Sequence, residues 1–185
     1  MQEFDWTRAD LFAALIRASL VERMLDPTDE FRRFEHFPEW SQQVQVATFQ
    51  SGGGDHLVVI RAGSSSAIKG FAHESPSSPY AQPGLKPLAG MYMGMPGELM
   101  RAVEAVNLPP DDVTFALWQE QPSRIWTRGI TGSEDGLDAL LIHIPLSGQG
   151  CIDRWEEVLE RDLTIQERGA IWELYGTEPP IGRDQ

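Results

Sequence analysis

Residues 44–71, VQVATFQSGGGDHLVVIRAGSSSAIKGF, contain three short runs of β-branched, aromatic and other apolar residues separated by turns of glycine and serine. In the first run Val44 and Val46 alternate with polar or small residues, which is typical of a half-buried strand. The five-residue turn 51–55 and the turn 63–66 are rich in residues that favour tight reversals. The stretch therefore predicts an antiparallel meander of three strands.

Helices are predicted before this meander. Apolar residues recur at steps of one, three and four between Leu11 and Met24, which indicates a helix face, and Asp26-Pro27 ends it. A second, short helix is predicted from Thr28, because Phe31, Phe34 and Phe37 have helical spacing and Pro38 follows.

Two further strands are predicted after the meander, at 113–118 and 124–128, and a short amphipathic helix at 97–106 precedes them. We therefore expect an α+β fold with about five mostly antiparallel strands and helices on one face. Residues 72–97 hold five prolines and four glycines and show no periodicity, so this stretch is predicted to be a long loop.

The C-terminal part is predicted to be helical. A small helical piece is expected at 137–141, and Asp153 is a candidate cap for a helix that carries Trp155. Thr164 and Glu167 have the spacing of a capping box, and Gly176 ends that last helix. The expected organisation is one domain over residues 1–185: N-terminal helices at 1–40, the sheet with the loop 72–97 at 41–130, and C-terminal helices at 151–176.

The charge and the cysteine content of the chain limit the classes of function. The formal net charge is −13, from 28 acidic and 15 basic residues, which disfavours nucleic acid and anionic membranes and favours a basic protein as partner. The single cysteine, Cys151, allows no internal disulfide, and no basic leader or long apolar run is present, so we expect a cytoplasmic protein.

The densest group of reactive residue types is GFAHESPSSPY, residues 70–80. If the chain stays extended after the third strand, His73 and Glu74 point to opposite sides and form no dyad. Serine before proline excludes helix, so the segment is either a stiff loop or one wall of a polar pocket. The candidate ligand- or partner-binding residues are Arg61, His73, Glu74, Ser75 and Tyr80.

No other motif predicts catalysis. The run Gly52-Gly53-Gly54 leads into a strand, not into the helix that a phosphate-binding loop requires. The four histidines lack metal-site spacing, and Cys151 is expected to be a buried, inert residue. We therefore expect no catalytic residues, no metal and no cofactor.

The pattern G-F-x-H-E-S-P-x-S-P-Y resembles a group of uncharacterised bacterial proteins. They share a later V-T-x-x-x-W strand, here Val113–Trp118, and a helical C-terminal part, so the resemblance covers roughly residues 40–175. It implies a bacterial source and no established activity. Similarity to bacterial immunity proteins is one of type only: small, acidic and α+β.

Three hypotheses of function follow. The first is a non-enzymatic protein-binding module, immunity-like or regulatory. The alternative is a small-ligand binder or an enzyme that uses the loop 72–97 together with Arg61. A third is self-association through a sheet edge or the C-terminal helices.

Overall fold

A computed structural model describes most of the chain. Side chains are described from Leu11 onward. The described residues are 8–26, 28, 32–41, 43–81, 90–106, 112–120, 125–132 and 134–176. Over these residues the helices are α1 (Arg8–Leu25), α2 (Gly97–Ala105), α3 (Leu137–Leu141), α4 (Gly148–Leu159) and α5 (Ile165–Tyr175), and the strands are β1 (Phe34–Ser41), β2 (Val44–Gln50), β3 (His56–Ala62), β4 (Ser65–Phe71), β5 (Phe115–Gln119) and β6 (Thr127–Arg128).

The described strands form one antiparallel sheet of six, in the order β1-β2-β3-β4-β5-β6. The predicted meander is confirmed: Val46 pairs with Ile60 and Ile60 with Ala67. The β2–β3 turn reverses at Gly52 and Gly54, whose φ angles of 83° and 107° lie in the left-handed region that glycine adopts without strain. The α+β class, the antiparallel sheet and the late strands are therefore confirmed.

The predicted first helix is confirmed as α1, whereas the predicted second helix is wrong over residues 34–37, so the N-terminal helices do not extend to residue 40. Phe34–Ser41 forms β1, an edge strand that pairs with β2. Proline is tolerated here because the register shifts between Phe37 and Ser41, so Pro38 lies in an irregular part of an edge strand, where it interrupts no regular ladder. The part of this prediction that rests on residues 29–31 lies outside the described residues.

The described helices lie on both faces of the sheet, whereas one face was expected. Leu11 and Leu15 of α1 pack with Phe49 and Leu57, which point to one face. Leu99, Ala102 and Val103 of α2 pack with the residues that point to the other face. The residues of this second cluster on the sheet are Val44, Val46, Val58, Ile60, Ala67 and Trp118.

The C-terminal helices pack on α1. Val21 shares a buried cluster with Ile152 and Trp155 of α4 and with Ile171 of α5. The capping box predicted at Thr164 is confirmed, and α5 ends at Gly176 in the left-handed conformation. α4 begins earlier than expected, with Ser147 as its cap, so Asp153 lies inside the helix.

The predicted helices at 97–106 and 137–141 are confirmed as α2 and α3. Within the predicted loop 72–97, residues 73–81 form consecutive turns and bends, and residues 82–89 lie outside the described part. None of the described helices combines the length and apolar composition that crossing a membrane requires.

Candidate functional site

The motif 70–80 folds into three consecutive turns. The backbone N–H groups of Ser75, Ser78 and Ala81 each donate to the carbonyl three residues earlier, at 3.1, 2.8 and 3.0 Å. Pro76 and Pro79 occupy the position after each serine, where their fixed φ favours a turn. We call residues 72–81 the turn ladder.

The serines of the turn ladder are structural. Ser75 Oγ donates to the carbonyl of Glu134 at 2.5 Å and accepts from the N–H of Ser77 at 3.0 Å. Ser78 Oγ accepts from the N–H of Tyr80 at 3.2 Å, and Ser78 is fully buried. These side-chain bonds satisfy backbone groups that a turn leaves open, so the Ser-Pro pairs determine the shape of the segment.

The expectation that His73 and Glu74 point apart is wrong. His73 Nδ1 and Glu74 Oε1 lie 3.0 Å apart, because both residues belong to the first turn of the ladder and not to an extended strand. The Glu74 side chain is 96 % exposed, so solvent screens this pair. The contact is a surface interaction and gives no buried acid–base dyad.

The exposed side of the turn ladder is an aromatic cluster. The His73 ring stacks on Tyr80 with centroids 5.7 Å apart, and Phe71 meets the Tyr80 ring edge-on at the same distance. His56 packs against Phe71 at 5.3 Å. The cluster links the ladder to the start of β3.

Two carboxylates are fixed by the same segment. Asp55 Oδ1 accepts from the backbone N–H of His73 at 2.7 Å, and Asp112 Oδ1 accepts from the Tyr80 hydroxyl at 2.9 Å. Asp55 Oδ2 also accepts from Ser51 Oγ at 3.3 Å. The ladder therefore positions acidic side chains that come from two other loops.

Arg61 does not join this group. It lies five residues along β3 from His56, about 17 Å at strand spacing, and points to the opposite face of the sheet. Its guanidinium stacks over the Phe12 ring of α1 at 5.4 Å. The structure thus brings His73, Glu74, Ser75 and Tyr80 together and leaves Arg61 elsewhere.

An open cleft of about 280 Å³ lies at the tip of the β2–β3 hairpin, next to the turn ladder. We call it the hairpin-tip cleft. Its lining residues are Thr48, Phe49, Gln50, Gly52, Gly54, Asp55, His56, Val58 and Asp112. Asp55 and Asp112, which the turn ladder fixes, form part of this lining. The segment singled out in the sequence therefore supports the cleft from outside.

Two polar atoms of the cleft residues are buried and have no hydrogen-bond partner: Thr48 Oγ1 and His56 Nε2. Burial lowers the pKa of His56 below its usual value, with Asp112 and nearby backbone carbonyls acting in the opposite direction. His56 is therefore neutral at pH 7. An unsatisfied buried polar group is costly and uncommon, so both atoms call for a partner that the described residues do not supply.

Lys69 lies beside this cleft. It is 4 % exposed, and burial lowers its pKa to about 8. Lys69 pairs with Val58, and Val58 pairs with Thr48, so the three side chains form one row on the cleft face of the sheet. The positive charge of Lys69 also contributes to the lowered pKa of His56, which places the two groups near each other.

No family model, curated protein or solved structure matches this chain.

The remaining candidates are accounted for by packing. The prediction for Cys151 is confirmed: the thiol is buried, and burial raises its pKa to about 11. Within the described ranges, no three histidine, cysteine, aspartate or glutamate side chains lie close enough to share a metal ion.

The sequence analysis did not select Thr48, His56 or Lys69. One signal for Lys69 was present: it interrupts the otherwise uncharged run Ala67–Phe71 at a position where its neighbours two residues away are apolar. A lysine at such a position is either paired or functional. Thr48 and His56 carry no comparable signal, because the alternation of polar and apolar residues shows which face of the sheet a side chain lies on and does not show which part of that face is open to solvent.

Proposed function

We propose that this protein is a non-enzymatic binding protein and that the hairpin-tip cleft holds its ligand. The observation that carries the proposal is the pair of buried, unpartnered atoms Thr48 Oγ1 and His56 Nε2. A ligand that satisfied both would recover hydrogen bonds that folding leaves unmade, each contributing about 1 kcal/mol. Of the hypotheses above, this proposal develops the small-ligand alternative.

The cleft suits a small ligand. Its volume of about 280 Å³ is slightly below the usual range for pockets that hold drug-sized compounds. The share of liquid volume of one water molecule is about 30 Å³, so the cleft has room for roughly nine waters or a compound of that size.

Hydrogen bonds hold the two carboxylates of the cleft wall in place. Asp55 accepts from the His73 N–H and from the Ser51 hydroxyl, and Asp112 accepts from the Tyr80 hydroxyl. A lining that is already formed suits the recognition of a small ligand.

Ligand-observed NMR with fragment-sized polar compounds tests the proposal. We expect binders whose affinity falls about tenfold in Thr48→Val and in His56→Phe, since each variant removes one hydrogen bond. His36→Phe is the matched control, because His36 Nε2 is also buried without a partner but lies outside the cleft residues. Binders that all three variants retain equally, or no binders at all, would contradict the proposal.

A second candidate is the protein-binding module, immunity-like or regulatory, with a basic protein as partner. The net charge of −13 favours it, because such a field attracts basic surfaces. Capture of a basic partner at low salt and its release at high salt would support this candidate, and capture that is independent of salt would count against it. A bacterial, cytoplasmic protein is part of this proposal; the single cysteine, which allows no internal disulfide, favours a reducing compartment.

A further inference from the structure

Lys69 places a positively charged side chain next to the hairpin-tip cleft. The row Thr48–Val58–Lys69 crosses β2, β3 and β4 on one face of the sheet. Thr48 and Val58 line the cleft, and Lys69 is the next residue in the row. A lysine side chain is long enough to pass a valine, so its ammonium can reach a ligand bound against Val58.

No described residue neutralises this ammonium. Among the described side chains, none forms an ion pair or hydrogen bond with Lys69, and burial is the cause of its lowered pKa. Asp55 and Asp112 line the cleft, but neither contributes to the shifted pKa of Lys69, for which burial is the cause. Lysine is seldom buried unless it is paired, and an incoming anion would supply that partner.

His56 places a second requirement on the ligand, in addition to a negative charge. Its Nε2 is the ring nitrogen without a partner, while the backbone carbonyls of Gly54 and Asp112 act on the ring as acceptors. A neutral imidazole carries its proton on one of its two nitrogens, so Nε2 is a donor in one tautomer and an acceptor in the other. A hydroxyl group on the ligand can pair with Nε2 in either tautomer, because a hydroxyl both donates and accepts. The hydroxyl of Thr48 donates or accepts as the ligand demands.

We propose that the hairpin-tip cleft binds a small, singly charged oxyanion that also carries a hydroxyl group. Its carboxylate or phosphate oxygens receive hydrogen bonds from Lys69 Nζ and Thr48 Oγ1, and its hydroxyl pairs with His56 Nε2. The acids of the cleft lining disfavour a second negative charge on the ligand. This inference rests on the proposed function, since it names the class of ligand for the same cleft.

Lactate, propionate and inorganic phosphate are the probes. Lactate and propionate differ by one hydroxyl, and the dihydrogen form of phosphate carries one negative charge together with hydroxyl groups. The titrations are run below the second pKa of phosphate, where this singly charged form predominates. Affinities are measured by NMR titration of the full chain. We expect lactate to bind about tenfold more tightly than propionate, because propionate leaves His56 Nε2 unpaired. Tighter binding of phosphate than of lactate would identify a phosphate ligand, and the reverse a carboxylate.

Variants assign the contacts. Lys69→Met should weaken both anions by about 10- to 100-fold, the range for a charge-assisted bond, while His36→Phe leaves them unchanged. His56→Phe should abolish the preference for lactate over propionate. Anion binding that persists in Lys69→Met overturns the inference, as does the absence of saturable binding of every anion. If neutral fragments still bind in a manner that depends on Thr48 and His56, the proposed function stands and the assignment of an anion falls.

Discussion

Replacing Lys69 with methionine should stabilise the ligand-free protein, although it removes a residue that we assign to binding. Burial lowers the pKa of Lys69 from 10.5 to about 8. A difference of about 2.5 units corresponds to about 3 kcal/mol at 1.36 kcal/mol per unit. Methionine has a similar length and no charge, so it fills the same space without this penalty.

The sign of the pH dependence is fixed by the direction of the shift. Between pH 8 and 10.5 the unfolded chain binds the lysine proton more tightly than the folded protein does, so the wild type gains stability as pH rises through this window. Below pH 8 the penalty is fully present. Lys69→Met should therefore exceed the wild type by about 3 kcal/mol at pH 7 and lose this advantage by pH 10.5.

Urea denaturation at a series of pH values measures this difference. Arg101→Met is the matched control, because it removes one positive charge from an exposed position on α2 and should change stability by no more than about 0.5 kcal/mol. If Lys69→Met is destabilising at pH 7, or if the two pH curves run parallel, the lysine is not an uncompensated buried charge and the reasoning is refuted.

Two other predictions concern the scaffold. Burial raises the pKa of Glu22 to about 7, although its carboxylate accepts hydrogen bonds from the N–H groups of Arg33 and Phe34. As pH rises from 4.5 through 7, the free energy of unfolding of the wild type should therefore fall by about 3 kcal/mol relative to that of Glu22→Gln. Parallel curves of stability against pH for the two proteins would contradict this. Ser75→Ala should cost about 1 kcal/mol in urea denaturation, since it removes the part-buried hydrogen bond from the Ser75 hydroxyl to the carbonyl of Glu134. A cost no larger than that of the neighbouring Ser77→Ala would show that the bond contributes little.

The meander could be predicted because two independent patterns agree there. The alternation of Val44 and Val46 gives strand period, and the turns 51–55 and 63–66 contain the glycine that a tight reversal needs. β1 was missed for a physical reason. Phenylalanines three residues apart fit a helix, and a following proline is typical of a helix end. In the structure Phe34, Phe37 and Pro38 lie in an edge strand that pairs with β2, and a shift in register accommodates the proline.

The site was predictable only in part. Residue types drew attention to His73 and Tyr80, and the Ser-Pro pairs correctly indicated a stiff segment beside a polar region. The atoms that we now assign to the ligand lie on β2, β3 and β4. Their proximity depends on the pairing register of three strands, which brings Thr48, Val58 and Lys69 into one row, and local sequence does not encode that register.

Lys69 is proposed to bind the anionic group of the ligand, and NMR titration of its side chain tests this most directly. The chain has two lysines, so Lys86→Arg leaves a single lysine signal to follow against pH. We predict a pKa near 8 in the free protein, rising toward 10.5 when lactate or phosphate saturates the cleft. A pKa that is already ordinary without ligand, or one that saturating anion leaves unchanged, would contradict the account.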